Sequence, residues 1–209
     1  MMRRQIIPHP TQCRGPLPAA RLLSGLLCIA LGLSFASAHA ADIIPTRSVT
    51  PNGITVLFLE QHFLPTVEIH ALVKVGSAQD PPDKAGLANL TASLLDEGTV
   101  TRTSRQFAEQ IDFVGGSLGA HATEDFTTAS ARVLKKDADL GFTLLADMLQ
   151  HPAFHKQEFE RVRTQILGEI VSDDDDPGNV AMKAFHQLIF HGHLYSWPAH
   201  GTEETLNKI

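Results

Sequence analysis

The stretch from Gly86 to Thr99 most constrains how this chain can fold. Three leucines recur within it at helical spacing: Leu87, Leu90 and Leu94. On a helix they form one apolar side, and the opposite side carries three small or weakly polar residues, Asn89, Ala92 and Ser93. We therefore predict a short amphipathic helix that buries its leucines against other parts of the chain.

The rest of the chain mixes strand and helix patterns. Strand patterns cover residues 54–59 and 66–75, and β character returns over 117–134. Apolar stripes at helical spacing lie over 103–114, 137–150, 154–171 and 180–190. We predict an α+β fold, with a largely antiparallel sheet and helices packed on one face. The acidic run from Asp173 to Asp176 is predicted to be a solvated loop, because its spacing does not match an EF-hand calcium loop.

Residues 1–40 have the pattern of a secretory signal peptide. A basic start without acidic residues precedes an apolar run from Leu22 to Phe35, and Ala38-His39-Ala40 fits a cleavage site. The run is too short for a transmembrane helix, which needs about 20 residues. We therefore predict secretion across the inner membrane to the periplasm, a mature domain of residues 41–209 and no stable membrane anchor.

The cysteines and the charge exclude several classes of function. Both cysteines, Cys13 and Cys28, lie inside the predicted signal peptide, so a mature chain would have no disulfide, catalytic thiolate or cysteine-bound zinc. The formal net charge is −6, and cleavage would remove four arginines and no acidic residue. Such an acidic surface does not suit nucleic acid, which we exclude as a partner.

The order of motifs along the chain resembles the insulinase/pitrilysin family of inverted-zincin metallopeptidases. Gly86-Leu87-Ala88 and Gly98-Thr99 are similar to the residues that flank the family's H-x-x-E-H helix. Other motifs follow in the family's order: residues 51–56, 75–77, 112–116, 149–154, 176–177 and 200–203. The resemblance implies an insulinase/pitrilysin-type N-terminal domain over residues 41–209. The sequence stops at Ile209 inside a predicted helix, and if the natural chain continues, a second similar domain is expected.

The three catalytic-helix positions of the resembling family are all substituted here. Asn89 stands at the first His, Ala92 at the Glu and Ser93 at the second His. The family's third zinc ligand, a Glu on a later helix, falls on Glu169, 76 residues after Ser93. Neutral oxygens are poor zinc ligands beside imidazole, and alanine has no proton-accepting atom. We expect no catalytic residue, no bound cofactor (zinc in the family) and no hydrolysis by the family mechanism.

The surroundings of these positions can also be predicted. We expect Asn89, Ala92 and Ser93 to line a small polar cleft with Glu169 opposite. The helical pattern alone leaves another possibility open for Glu169, namely a side chain on the rim of its helix with its carboxylate in water.

A second candidate site follows from the resemblance. In the family, the strand after the Gly-Gly turn is an exposed edge that pairs with the substrate peptide through main-chain hydrogen bonds. The matching residues here are Gly119, Ala120, His121 and Ala122, and the family often has Asn where Gly119 stands. Because this pairing needs no particular side chain, peptide binding can survive the loss of a metal. The alternative is an ordinary strand inside the sheet.

Three functions are consistent with the sequence. The leading hypothesis is a catalytically degenerate metallopeptidase homologue, the non-catalytic subunit of a periplasmic peptidase complex, whose partners are peptides and a catalytically intact homologue. The second is an active metallopeptidase whose unconventional metal site combines Glu169 with later histidines: His151, His155, His186, His191, His193 and His200. The third is a stand-alone peptide-binding or scaffold module.

Overall fold

The computed structural model of the protein describes residues 44–209. The predicted signal peptide lies outside the described residues. Two compact units divide the chain after Gln61. In the first, β1 (Thr46–Val49) and β2 (Thr55–Phe58) form an antiparallel hairpin in which Thr46 lies opposite Phe58. Strand β2 is one residue shorter at each end than the predicted strand.

The second unit, from His62 to Ile209, contains three strands and six α-helices among the described residues. Along the chain these are β3 (Thr66–Val73), α1 (Leu87–Leu94), α2 (Ser104–Phe113), β4 (Ser117–Ala122), β5 (Thr127–Leu134), α3 (Ala138–Gln150), α4 (Lys156–Asp175), α5 (Pro177–Ile189) and α6 (Glu203–Leu206). None of the helices in residues 44–209 is long and apolar enough to cross a membrane.

The three strands form an antiparallel sheet in the order β3-β5-β4. The inner face of β5 is built from small and branched residues, Ala129, Ala131 and Val133, which are almost fully buried. Helices α2 and α3 cover this face with Phe107, Ile111, Leu144, Leu145 and Met148. The outer face is mostly polar, apart from Leu72 and Leu134, and on it Arg132 Nη2 pairs with Glu68 Oε1 at 2.6 Å. The predicted α+β class with helices packed on one face is confirmed.

A second core holds α1 in place. Leu90 and Leu94 of α1 pack against Val162, Ile166 and Ile170 of α4, and Leu206 of α6 completes the cluster. Leu90 is 1% exposed and Leu94 3%. Two of the three leucines on the predicted apolar side of the Gly86 helix are therefore buried, mainly against a helix from the later part of the chain, and Leu87 is half-buried.

The N-terminus of α1 is capped by a side chain from the segment before the helix. Gly86 adopts a φ of 99° and has no side chain that could cap the helix. The buried carboxylate of Asp80 takes this role, because its Oδ2 accepts from the Gly86 N–H at 2.9 Å and its Oδ1 from the Ala88 N–H at 3.0 Å. Burial raises the pKa of Asp80, although these N–H groups act in the opposite direction.

Other predicted boundaries were also wrong, and α5 begins at Pro177 rather than at residue 180. Strand β3 ends at Val73 rather than at residue 75. The acidic run is not a loop, because residues 173 to 175 form the last turn of α4 and Asp176 is the N-cap of α5. The Asp176 carboxylate accepts from the Gly178 and Asn179 N–H groups at 2.7 and 3.1 Å, and Pro177 occupies the first position of α5.

Candidate functional site

The side of α1 opposite its leucines is largely closed. Helix α1 packs against both α4 and strand β4. Asn89 and Ser93 are half-buried, and Ala92 between them is 0% exposed. Ala92 therefore does not line an open cleft, contrary to the expectation from the sequence. The position that aligns with the family's general base is part of the packed interior.

Glu169 lies on the exposed side of α4. Its Oε1 accepts a hydrogen bond from Gln165 Nε2 of the preceding turn at 3.1 Å. The next residue, Ile170, faces the core that α4 shares with α1. Glu169 is thus a solvated rim residue in this structure, the possibility that its helical pattern left open.

Three of the later histidines, His151, His193 and His200, have polar partners close to them in the fold. His151 Nδ1 lies 3.2 Å from Asp147 Oδ1, and His193 Nδ1 accepts from the Tyr195 N–H at 3.2 Å. His200 Nε2 lies 3.9 Å from Asp173 Oδ2. Burial and the charge of Lys183 lower the pKa of His200, although nearby carboxylates oppose this.

The donors present do not fit the zinc of the resembling family. In the described part of the chain, no three His, Cys, Asp or Glu side chains come together in a metal-binding group. Asn89 and Ser93 offer neutral oxygens and Ala92 none, whereas such a zinc site uses imidazole nitrogens and a carboxylate. No step of a reaction can be built through a zinc ion on these residues.

Strand β4 is an edge strand, because within residues 44–209 it pairs only with β5. The Thr123 N–H donates to the Phe126 carbonyl at 2.8 Å where the β4–β5 hairpin closes. Since bonded and non-bonded pairs alternate in antiparallel strands, Ser117, Gly119 and His121 bond to β5.

The main-chain groups of the other residues of β4 point away from β5, at the free edge. These residues are Leu118, Ala120 and Ala122. No hydrogen bond from the described chain reaches these outward groups. The free edge is therefore a row of unpaired donors and acceptors, the kind of edge to which an extended peptide can add as a further strand.

A charged link fixes the chain between α1 and α2. Glu97 accepts from Ser104 Oγ at 2.9 Å and pairs with Arg161 Nη2 of α4. Arg161 Nε also donates to Glu158 Oε2 at 2.8 Å. Hydrogen bonds to Glu97 and Glu158 raise the pKa of Arg161 further above its usual range. This link holds the residues after α1 against α4 and the start of α2.

Sequence reasoning missed two carboxylates near α1, Asp80 and Asp96. A signal existed for Asp80, because a helix that begins at a glycine needs an acceptor from elsewhere. No comparable pattern singles out Asp96, whose position beside β4 depends on the tertiary packing of α1.

The structure defines a class of protein: an α+β domain in which a short helix packs beside the free edge of an antiparallel sheet. The model of the insulinase family (peptidase family M16) matches residues 55–203, and the chain belongs to this family. The family resemblance read from the sequence is confirmed.

Two relatives show how much of such proteins this chain covers. It is 31% identical over 173 residues to an "uncharacterized zinc protease" of Mycobacterium bovis, covering 81% of this chain and 39% of that protein. It is 30% identical over 158 residues to one of Rickettsia bellii, covering 76% and 38%. The chain thus spans about two fifths of the length of these relatives.

Solved structures agree with the fold. A structure from Pseudomonas fluorescens, described as a peptidase M16 inactive domain, superposes with a TM-score of 0.74 at 25% identity, over 79% of this chain and 40% of that one. Pitrilysin superposes with a TM-score of 0.69 at 23% identity, over 80% of this chain and 18% of its own. The likeness to pitrilysin shows the fold alone.

Proposed function

We propose that this domain is a non-catalytic member of the insulinase family that binds extended peptides along β4, as the periplasmic partner of a zinc-bearing homologue. The observation that carries the proposal is the full burial of Ala92, at the position that aligns with the general base, next to an unpaired strand edge.

The chemistry of α1 supports the non-catalytic part. An inverted zincin needs two imidazoles one helical turn apart and a carboxylate between them that takes a proton from the zinc-bound water. At the matching positions this chain has an amide, a methyl group and a hydroxyl. The relative from Pseudomonas fluorescens described as an inactive M16 domain is consistent with a non-catalytic role.

The geometry of β4 supports the peptide-binding part. Its free edge offers the N–H and C=O groups of Leu118, Ala120 and Ala122 in a row. Each main-chain hydrogen bond to a peptide is worth about 0.5–1.5 kcal/mol, so several together give measurable binding without catalytic side chains. Because such bonds are independent of sequence, a domain of this kind suits unfolded polypeptide.

The first test separates a partner subunit from an enzyme. Purified protein, with no homologue present, is expected to show no chelator-sensitive hydrolysis of an unfolded protein substrate. A homologue with an intact H-x-x-E-H helix, encoded by the same genome, is expected to bind this protein and to hydrolyse the substrate faster in the complex.

The other outcomes contradict the proposal in distinct ways. Stoichiometric zinc that is lost in Glu169→Gln, with hydrolysis by the protein alone, would establish an unconventional metal site instead. Peptide binding without any complex with the homologue would establish a stand-alone module.

The second test addresses the strand edge. Ala120→Pro removes an N–H that points to the free edge and breaks no bond to β5, and proline is tolerated at such edge positions. We expect peptide binding to weaken about tenfold, from one lost hydrogen bond and the misfit of the ring. Fluorescence anisotropy with labelled peptides measures the change. Ala120→Ser, which keeps the N–H, is the matched control, and equal affinities of the two variants would exclude this edge as the binding site.

A further inference from the structure

We propose that Asp96 makes the β4 edge selective for peptides with a basic side chain at the position opposite Gly119. The inference rests on the peptide binding proposed above. It adds a specificity-determining residue at that edge and a substrate class, extended segments that carry lysine or arginine.

Asp96 lies beside the part of β4 where side-chain space is open. It is the second residue after α1, and its Oδ2 lies 3.8 Å from the point where a Cβ atom on Gly119 would stand. No other heavy atom outside the chain neighbours comes within 4 Å of that point. The absence of a side chain at Gly119 thus leaves a gap with a carboxylate on one side.

The gap lies where a paired peptide would place a side chain. Gly119 bonds to β5, so it would form a non-hydrogen-bonded pair with a peptide running antiparallel along the free edge. The Cα atoms of such pairs are about 4.5 Å apart, and their side chains point to the same face of the sheet. The peptide residue opposite Gly119 would therefore extend its side chain over the glycine towards Asp96.

The carboxylate of Asp96 lies near the charge of Arg161 but forms no ion pair with any residue among 44–209. Glu97, the next residue, is bound by Arg161 and Ser104. Burial raises the pKa of Asp96, its own main-chain N–H lowers it, and the charges of Glu97 and Arg161 act in opposite directions. A half-buried carboxylate without an ion pair is stabilised strongly when a ligand brings a cation to it.

The experiment uses the full protein and labelled peptides of roughly eight residues, slightly longer than a typical strand. Members of the set differ only in a central residue, which is lysine, arginine, glutamate or uncharged norleucine. We expect lysine and arginine peptides to bind about fivefold more tightly than the norleucine peptide, and the glutamate peptide to bind most weakly. In Asp96→Asn the preference should disappear while norleucine affinity is retained.

Two further variants make the test specific. Asp139→Asn removes the same charge from an exposed site on α3 and should keep the preference. Gly119→Asn fills the gap beside Asp96 with an amide and should abolish the preference. If no peptide binds, the proposed function fails. If peptides bind but lysine gives no advantage, or the advantage persists in Asp96→Asn, only the role of Asp96 is overturned.

Discussion

Replacement of Ala92 by glutamate is expected to lower the free energy of unfolding by about 3 kcal/mol or more. The family places a glutamate at this position, yet here the side chain is 0% exposed, on a helix packed against both α4 and β4. A glutamate would have to force these elements apart or hold its carboxylate without water. Chemical denaturation at neutral pH, monitored by circular dichroism, measures the difference.

The matched control is the preceding residue. Thr91 lies on the same helix with an exposed side chain, so Thr91→Glu adds the same group without burying it. Its effect should stay within about 0.5 kcal/mol, the usual range for surface substitutions. If Ala92→Glu were as mild as Thr91→Glu, the site would be open to water, and the main support for a non-catalytic domain would be lost.

The contrast between these two neighbours shows what the sequence could predict about α1. The spacing of Leu90 and Leu94 was sufficient to predict an amphipathic helix with a buried side, which the structure confirms. The same periodicity placed Ala92 on the polar side. It could not predict that a second element, β4, packs against that side and closes it, because periodicity describes one helix and not its neighbours.

For the sheet and the helix ends, too, some features could be predicted from the sequence and others could not. Alternating apolar residues and hairpin turns correctly predicted an antiparallel sheet, because these signals are local. The predicted end of α4 was wrong, because a run of aspartates has low helix propensity and is typical of a loop. The stronger signal was the Asp176-Pro177 pair, an N-cap followed by proline in the first turn, which fixes the start of α5 and lets α4 continue up to it.

Asp80 and Asp96 mark the limit of reasoning from one sequence. Asp80 caps α1 from the loop just before that helix, whereas Asp96 lies beside Gly119 on another element of the fold. The contact of Asp96 depends on how the chain after α1 returns to the sheet, and no residue pattern near Asp96 predicts it.

The carboxylate of Asp147 fixes the chain that follows α1 to α3. Its removal is expected to lower the free energy of unfolding by about as much as Ala92→Glu does. Asp147 Oδ2 accepts from Thr99 Oγ1 at 2.8 Å, from Thr101 Oγ1 at 2.9 Å and from Arg102 Nη1 at 2.5 Å. The side chains of Asp147 and Arg102 are 11% and 25% exposed. Asp147 thus connects the chain after Gly98 to the helix that covers the sheet.

Asp147→Ala is expected to lower the free energy of unfolding by about 3 kcal/mol at neutral pH, because it leaves Arg102 and two hydroxyls without their acceptor in a mostly buried site. Burial opposes ionisation of Asp147, but the hydrogen bonds from Thr99, Thr101 and Arg102 outweigh it and hold the pKa below the usual value for aspartate. The folded protein therefore binds fewer protons at this group than the unfolded chain. This contribution to stability is present above the unfolded pKa of about 3.9 and is lost as the pH falls through the folded pKa.

Two measurements test this assignment together. Denaturation of wild type and Asp147→Ala across a pH series should give a gap in unfolding free energy that is widest near neutral pH and narrows below about pH 4. Asp139→Asn removes an exposed carboxylate in the first turn of the same helix and should stay within about 1 kcal/mol of the wild type at every pH. A gap that does not change with pH would assign the loss to packing, since the ionised carboxylate of Asp147 gains much more from Arg102 and the two threonines than the neutral acid does.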